Sequence, residues 1–161
     1  MQEVYMKILL IGGTGIISTA VSKALLAAGH ELWLINRGTH NHILPEGANY
    51  ITGDINDTNA MEKALSGQSF DCIADFIVLK PEQIERDYHL FHGRTKQYIF
   101  ISSASAYQKP LSHYEITEST PLSNPYWDYA ANKILCENKL MDFYRKTGFP
   151  ATIIRPSHKI G

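Results

Sequence analysis

Residues 6–18 run Met6-Lys7-Ile8-Leu9-Leu10-Ile11-Gly12-Gly13-Thr14-Gly15-Ile16-Ile17-Ser18, and this stretch decides the fold. An apolar run ends in clustered glycines. Behind them Ile17, Ala20, Val21, Ala24, Leu25 and Ala28 recur at three- and four-residue steps until Gly29 stops the pattern. A glycine cluster alone is a weak signal, but its place between an apolar strand and an amphipathic helix is the context that gives it meaning. Glycines there permit a tight turn and let backbone N–H groups at the positive helix end approach a pyrophosphate. Gly12, Thr14, Gly15, Ile16 and Ile17 are therefore candidate dinucleotide contacts. The competing reading is a strand-to-helix turn without a ligand. Ser18 stands at the third small position, where serine nearly allows the close helix–sheet packing that glycine gives.

Outward from this unit, short apolar runs alternate with segments of helical period. Strands are expected at Met6–Ile11, Glu31–Ile35, Asn49–Thr52, Phe70–Leu79, Gln97–Ser102 and Ala151–Arg155. Helices are expected from Asn59 to about Ser66, from Pro81 to Gly93 with Ile84, Tyr88 and Phe91 on its apolar side, and from about Tyr126 to Thr147. Residues 104–125, with Pro110, Pro121 and Pro125, form the one long stretch without period, and such a loop is more often functional than idle. The alternation predicts an α/β fold: a doubly wound parallel sheet with helices on both faces, binding ligands at the carboxyl ends of its strands.

The length of 161 residues, 44% hydrophobic and 19% charged, suits one domain with its own core. A net charge of -1 offers no general attraction to nucleic acid or to an acidic membrane surface. Cys72 and Cys136 form no CxxC, so neither a disulfide framework nor a zinc knuckle is indicated. The apolar run before Gly12 is too short for a signal peptide or a membrane span, and the chain is read as a reduced, cytoplasmic domain.

Three further constellations carry chemistry. Ile35-Asn36-Arg37-Gly38 ends the second strand without an acid for a ribose 2′-OH. Arg37 there is able to receive a 2′-phosphate, which tilts the cofactor toward NADP, with NAD as the alternative. Gly53-Asp54-Ile55 places a carboxylate to accept from an adenine amino group and Ile55 to pack on the ring edge, although Asp is also common in turns for capping. The strongest is Ser102-Ser103 followed by Tyr129-Ala130-Ala131-Asn132-Lys133. Tyr129 and Lys133, four apart, project from one helix face. A free phenol is a poor base at neutral pH, and an ammonium one turn away favours the phenolate. Ser103 is then placed to hydrogen-bond a substrate oxygen beside Tyr129, and Lys133 to reach ribose hydroxyls as well.

In these residues the chain resembles the extended short-chain dehydrogenase/reductase superfamily, the NAD-dependent epimerase/dehydratase family. The resemblance runs through Gly12 to Ser18, Gly53-Asp54, Ile101 to Tyr107, Tyr129-x-x-x-Lys133 and Ile154-Arg155-Pro156. It implies a Rossmann fold, Tyr129 as general acid/base, Lys133 as its partner and ribose ligand, and Ser103 on the substrate oxygen. Hydride would pass to or from C4 of the nicotinamide. The segment from Pro156 to Gly161 would line the nicotinamide end, and Phe76 would stand where many members carry small residues beside the cofactor. Epimerase, dehydratase and reductase reactions on a hydroxyl or carbonyl compound, a nucleotide sugar among them, are all implied, as is a homodimer through helices such as that carrying Tyr129. Members also carry a carboxy-terminal substrate-binding portion after the sixth strand. Residues 1–161 are thus expected to be the cofactor-binding domain, without that portion.

Other residues give less. His40-x-His42, and His89 with His92, lack a Cys or carboxylate at motif spacing, and no metal site is expected. Tyr126, Trp127, Tyr129, Phe143 and Tyr144 suit a core or an oligomer face better than a stacking platform, because no basic stripe accompanies them. The rival to an enzyme is a non-enzymatic dinucleotide sensor or RNA-associated regulator. A third reading is a cofactor-binding fragment without turnover.

Overall fold

The computed structural model describes residues 5–38 and 45–157. The strands are β1 (Lys7–Ile11), β2 (Glu31–Asn36), β3 (Asn49–Thr52), β4 (Cys72–Asp75), β5 (Tyr98–Ile101) and β6 (Ala151–Ile154). The helices are α1 (Ile16–Ala27), α2 (Thr58–Ala64), α3 (Pro81–Phe91) and α4 (Asp128–Thr147), with one short 3-10 turn at Ala104–Ala106. All six strands are parallel in the order β3-β2-β1-β4-β5-β6. The chain order reverses between β1 and β4, which opens a crevice there.

The continuous apolar run of β1 follows from burial on both faces. Leu9 and Ile11 point to the side covered by α2, α3 and α4, where Met61, Ile84, Leu90, Phe91, Cys136 and Leu140 complete the larger core. Ile8 and Leu10 point to the other side, against Val21, Leu25 and Leu26 of α1. Each fully buried aliphatic of this kind contributes about 1.5–3 kcal/mol. Burial pushes the thiol of Cys72 up to about 11 and that of Cys136 up to about 12.

The doubly wound architecture matches expectation, and several boundaries move. The run Phe70–Leu79 keeps only Cys72–Asp75 as strand. The Asp75 carboxylate accepts the N–H groups of Ile77 and Val78 and turns the chain off the sheet, which apolarity alone does not reveal. Helix α2 starts at Thr58, one residue before the expected Asn59, because the Asp57 side chain caps it by accepting the N–H of Ala60. Helix α4 begins two residues after Tyr126, and the ends of β1, β5 and β6 are each trimmed by a residue or so. The loop 104–125 is tied to itself, by a bridge between Tyr107 and Leu122 and by bonds from Gln108 N–H to Pro121 and Lys109 N–H to Ser123. His40 and His42, and the end of the chain past Ser157, lie outside the described residues. Among the described residues no cluster of three metal-binding side chains occurs, and no helix is long and apolar enough to cross a membrane.

Candidate functional site

Gly12 leaves β1 with φ +85°, and a Cβ there would come within 2.2 Å of Ile77 Cγ2. A Cβ on Gly13 would meet the movable end of Leu34, at 2.9 Å. Gly12 is therefore required by packing as well as by the turn. Ser18 does more than allow close packing. Its buried hydroxyl donates to the Gly12 carbonyl at 2.8 Å and accepts the Gly15 N–H at 2.9 Å, locking the loop from within. The N–H groups of Ile16 and Ile17, at the first turn of α1, make no hydrogen bond to another described residue.

Two clefts meet over this loop. One, of about 330 Å³, is lined by Gly12 and Thr14 together with Asn36, Arg37, Asp54 and Ile55. The other, of about 450 Å³, is lined by Gly12, Thr14, Gly15, Ile16 and Ile17 and by Phe76, Ser103, Tyr129, Lys133 and Pro156. Gly12, Thr14 and Ile77 border both, so the clefts form one groove along the carboxyl ends of the strands. Every residue proposed from the sequence as a dinucleotide contact or catalytic group lies on it. Ile77, Leu79 and Asn56 also line it and were not anticipated; the first two were assigned to a longer fourth strand. In the first cleft Asn36 Oδ1 accepts the Gly38 N–H at 2.8 Å, while its buried Nδ2 has no partner among the described residues.

At the other end Tyr129 is half-buried and Lys133 wholly buried. Lys133 Nζ lies 5.6 Å from the Tyr129 ring centroid, as their spacing on α4 requires. It also lies 4.8 Å over Phe100, and donates to the carbonyls of Val78 at 2.6 Å and Ile101 at 2.8 Å. Two of its three hydrogens thus hold the protein itself, leaving one for the ribose contact expected of it. Burial lowers the pKa of this ammonium. Ser103 Oγ accepts from the N–H of Ser105 at 3.1 Å and from its hydroxyl at 2.9 Å, which leaves the Ser103 hydrogen free to donate.

Behind the groove a second network joins its walls. Glu137 on α4, buried, receives the Ser102 hydroxyl and a forked pair of bonds from Arg155, at 2.9 Å from Nε and 2.7 Å from Nη2. Arg155 also donates to the Tyr107 hydroxyl at 3.2 Å, and its guanidinium holds its proton more tightly because of Glu137. Glu137 lies two turns beyond Tyr129 on the same helix, a spacing that could have flagged it. Phe143 and Tyr144 lie on α4 and Tyr126 and Trp127 just before it; Phe143 stacks on Tyr88 at 3.9 Å, whereas Tyr126, Trp127 and Tyr144 are exposed.

Residues 8–161 match the model of the NAD dependent epimerase/dehydratase family. The chain belongs to that family. A UDP-glucose 4-epimerase of Lactobacillus helveticus is 27% identical over 93% of this chain and 51% of its own length. The chloroplast stem-loop binding protein of 41 kDa b of Arabidopsis thaliana is 30% identical over 64% of this chain and 30% of its own length. Among solved structures, an enzyme of Bordetella bronchiseptica in complex with NAD and UDP has the same fold, with a TM-score of 0.71 and 20% identity over 94% of this chain and 53% of that one. The chain spans about half the length of the UDP-glucose 4-epimerases it matches.

Proposed function

We propose that the groove binds a nicotinamide dinucleotide, and that Tyr129, Lys133 and Ser103 serve proton transfer at a hydroxyl or carbonyl carbon of a nucleotide-sugar substrate. The continuity of the groove carries this reading: the glycine loop, Arg37 and Asp54 lie toward one end and the Ser103–Tyr129–Lys133 set lies at the other. The free N–H groups of Ile16 and Ile17 suit a pyrophosphate, and the unpartnered Nδ2 of Asn36 suits a polar group of the adenosine half. Arg37, exposed at the end of β2, favours a 2′-phosphate, so NADP is the cofactor proposed first and NAD the alternative. When bound, the nicotinamide supplies the site that takes and returns hydride. Tyr129 gives or takes the proton on the substrate oxygen, and Ser103 donates its free hydrogen to that oxygen. The Lys133 ammonium attracts negative charge as it develops on the phenol.

Titrating the chain with NADH and NADPH, read by nicotinamide fluorescence, tests the reading. Saturable binding is expected, tighter for NADPH and with that preference lost in Arg37→Ala. Failure to bind either dinucleotide ends the proposal, and an NADH preference overturns the role of Arg37. A second reading, a dinucleotide-binding protein that acts on RNA without turnover, is favoured by the likeness to the chloroplast stem-loop binding protein. It predicts that Tyr129→Phe leaves function intact.

A further inference from the structure

At the switch point of the sheet the side chain of Asp75 is wholly buried, its backbone in register with Ile11 on one side and Phe100 on the other. Its Oδ1 accepts the N–H groups of Ile77 at 2.6 Å and Val78 at 3.0 Å. The charged and titratable groups that face it are Arg86 and Asp87 of α3, Tyr98 of β5 and Lys133 of α4. Arg86 is shared between the two carboxyl groups. It approaches Asp87 at 2.7 Å through Nη2 and at 2.8 Å through Nε, and gives Nη1 to Asn56 at 2.8 Å, but reaches Asp75 Oδ2 only at 3.3 Å. Asp87, equally buried, also receives the Tyr98 hydroxyl. Lys133 turns to the carbonyls of Val78 and Ile101 and forms no ion pair with Asp75 among the described residues. Two carboxyl groups thus meet one guanidinium, and Asp87 has the better share of it. A second bare charge here would have no counter-ion of its own, and burial with only a shared one favours the neutral acid. Asp75 Oδ2 and Asp87 Oδ1 both lie on Arg86 Nη2, which sets the two carboxyl groups side by side, and because carboxylates only accept, a direct bond between them calls for a proton.

We propose that Asp75 is a positioning residue held as the neutral acid, donating to Asp87 while its other oxygen fixes the turn whose Val78 carbonyl anchors Lys133. Burial, and then the charge of Asp87, holds the Asp75 carboxyl well above the usual carboxylate range. Burial raises the Asp87 carboxyl as well, but Arg86, the Asp75 proton and the Tyr98 hydroxyl offset it, so Asp87 is the member of the pair that keeps the negative charge. The turn also carries Ile77, which separates the two clefts, so one proton steadies both the wall of the groove and its lysine.

The decisive experiment uses the ligand-free chain labelled with 13C at aspartate, the Asp75 resonance being assigned by its loss in Asp75→Asn. The Asp75 Cγ shift is expected at the carboxylic-acid position at neutral pH; a carboxylate shift there overturns the proposal. Stability gives a second readout. The folded chain keeps a proton that the unfolded chain releases near about pH 4. The stability due to Asp75 is therefore complete in acid and is lost as pH rises toward the raised folded value. Asn has no such proton, so the Tm of Asp75→Asn minus that of the parent should climb from pH 4 to 8. A difference independent of pH would indicate a merely structural side chain and sink the idea. For the positioning role, which rests on the dinucleotide reading above, Asp75→Ala should weaken NADPH binding about tenfold and Asn should recover most of it. Equal loss in both variants, or none in Ala, refutes positioning. A parent chain that binds no dinucleotide counts against the reading of the groove alone, and the resonance and the melting curves still decide the state of Asp75.

Discussion

Lys133 Nζ donates to the carbonyl of Val78 at 2.6 Å across 55 positions of sequence, and the same ammonium holds Ile101 at 2.8 Å. One side chain of α4 therefore clamps the turn after β4 to the end of β5. Lys133→Met keeps the length of the stem and leaves the Val78 and Ile101 carbonyls without this donor, at a cost of about 1–3 kcal/mol for each that finds no other partner. Because burial lowers the pKa of this ammonium, the folded chain binds its proton less well than the unfolded chain. The parent then gains stability as pH rises through the lowered folded value toward the unfolded one. Thermal melts should show the parent's advantage over Met widening on the alkaline side, and a gap constant with pH would mean that folding leaves the proton affinity of Lys133 unchanged.

Tyr129→Phe removes one hydroxyl from a half-buried ring and leaves the lining of the groove in place. With a turned-over nucleotide sugar in hand, kcat should fall by about 10²–10⁴, the contribution expected of general acid–base transfer. The dinucleotide dissociation constant should barely move. A kcat near that of the parent would remove Tyr129 from the chemistry and favour the reading without turnover.

Gly12 faces Ile77 so closely that an added Cβ would sit 2.2 Å from its Cγ2, at a φ of +85°. Gly12→Ala combines a left-handed backbone penalty of about 1 kcal/mol with overpacking of about 1–3 kcal/mol. Ile77→Ala relieves only the second. Denaturation of the two single variants and the double variant should therefore give a favourable coupling of about 1–2 kcal/mol. Additive losses would show that the loop, and not Ile77, absorbs the strain.

The glycine loop, the parallel doubly wound sheet and the placing of Ser103, Tyr129 and Lys133 along one groove were legible because each has a local signature: an apolar run meeting glycines, alternation of strands and helices, and a four-residue helical step. The end of β4 was not. Cys72 to Leu79 is uniformly apolar apart from Asp75, and only the capture of two backbone N–H groups by that aspartate shows where the strand stops. Ser18 was read as a compromise in packing because spacing reports size, whereas its hydrogen bonds to Gly12 and Gly15 exist only once the loop has closed. The pairings of Arg86 with Asp87 and Asn56, and of Glu137 with Arg155 and Ser102, join residues up to 35 positions apart and leave no periodic trace.

That last network yields a separate prediction. Ser102 precedes Ser103, Arg155 precedes Pro156, and Glu137 shares α4 with Tyr129 and Lys133, so one carboxylate joins the three elements that carry the reactive end of the groove. Glu137→Gln preserves shape but removes the charge that the Arg155 fork grips. Arg155 keeps some access to water, so the cost should lie near about 2 kcal/mol, below that of orphaning a fully buried ion. Since the first cleft makes no contact with this network, the loss should fall on kcat more than on dinucleotide affinity. Arg155→Lys retains the positive charge without the planar fork and should reproduce the kinetic defect with less loss of stability. Urea denaturation alongside steady-state kinetics separates the two quantities. Equal damage to kcat and to affinity would mean that the pair supports the whole fold and not the alignment of Ser103 with Tyr129.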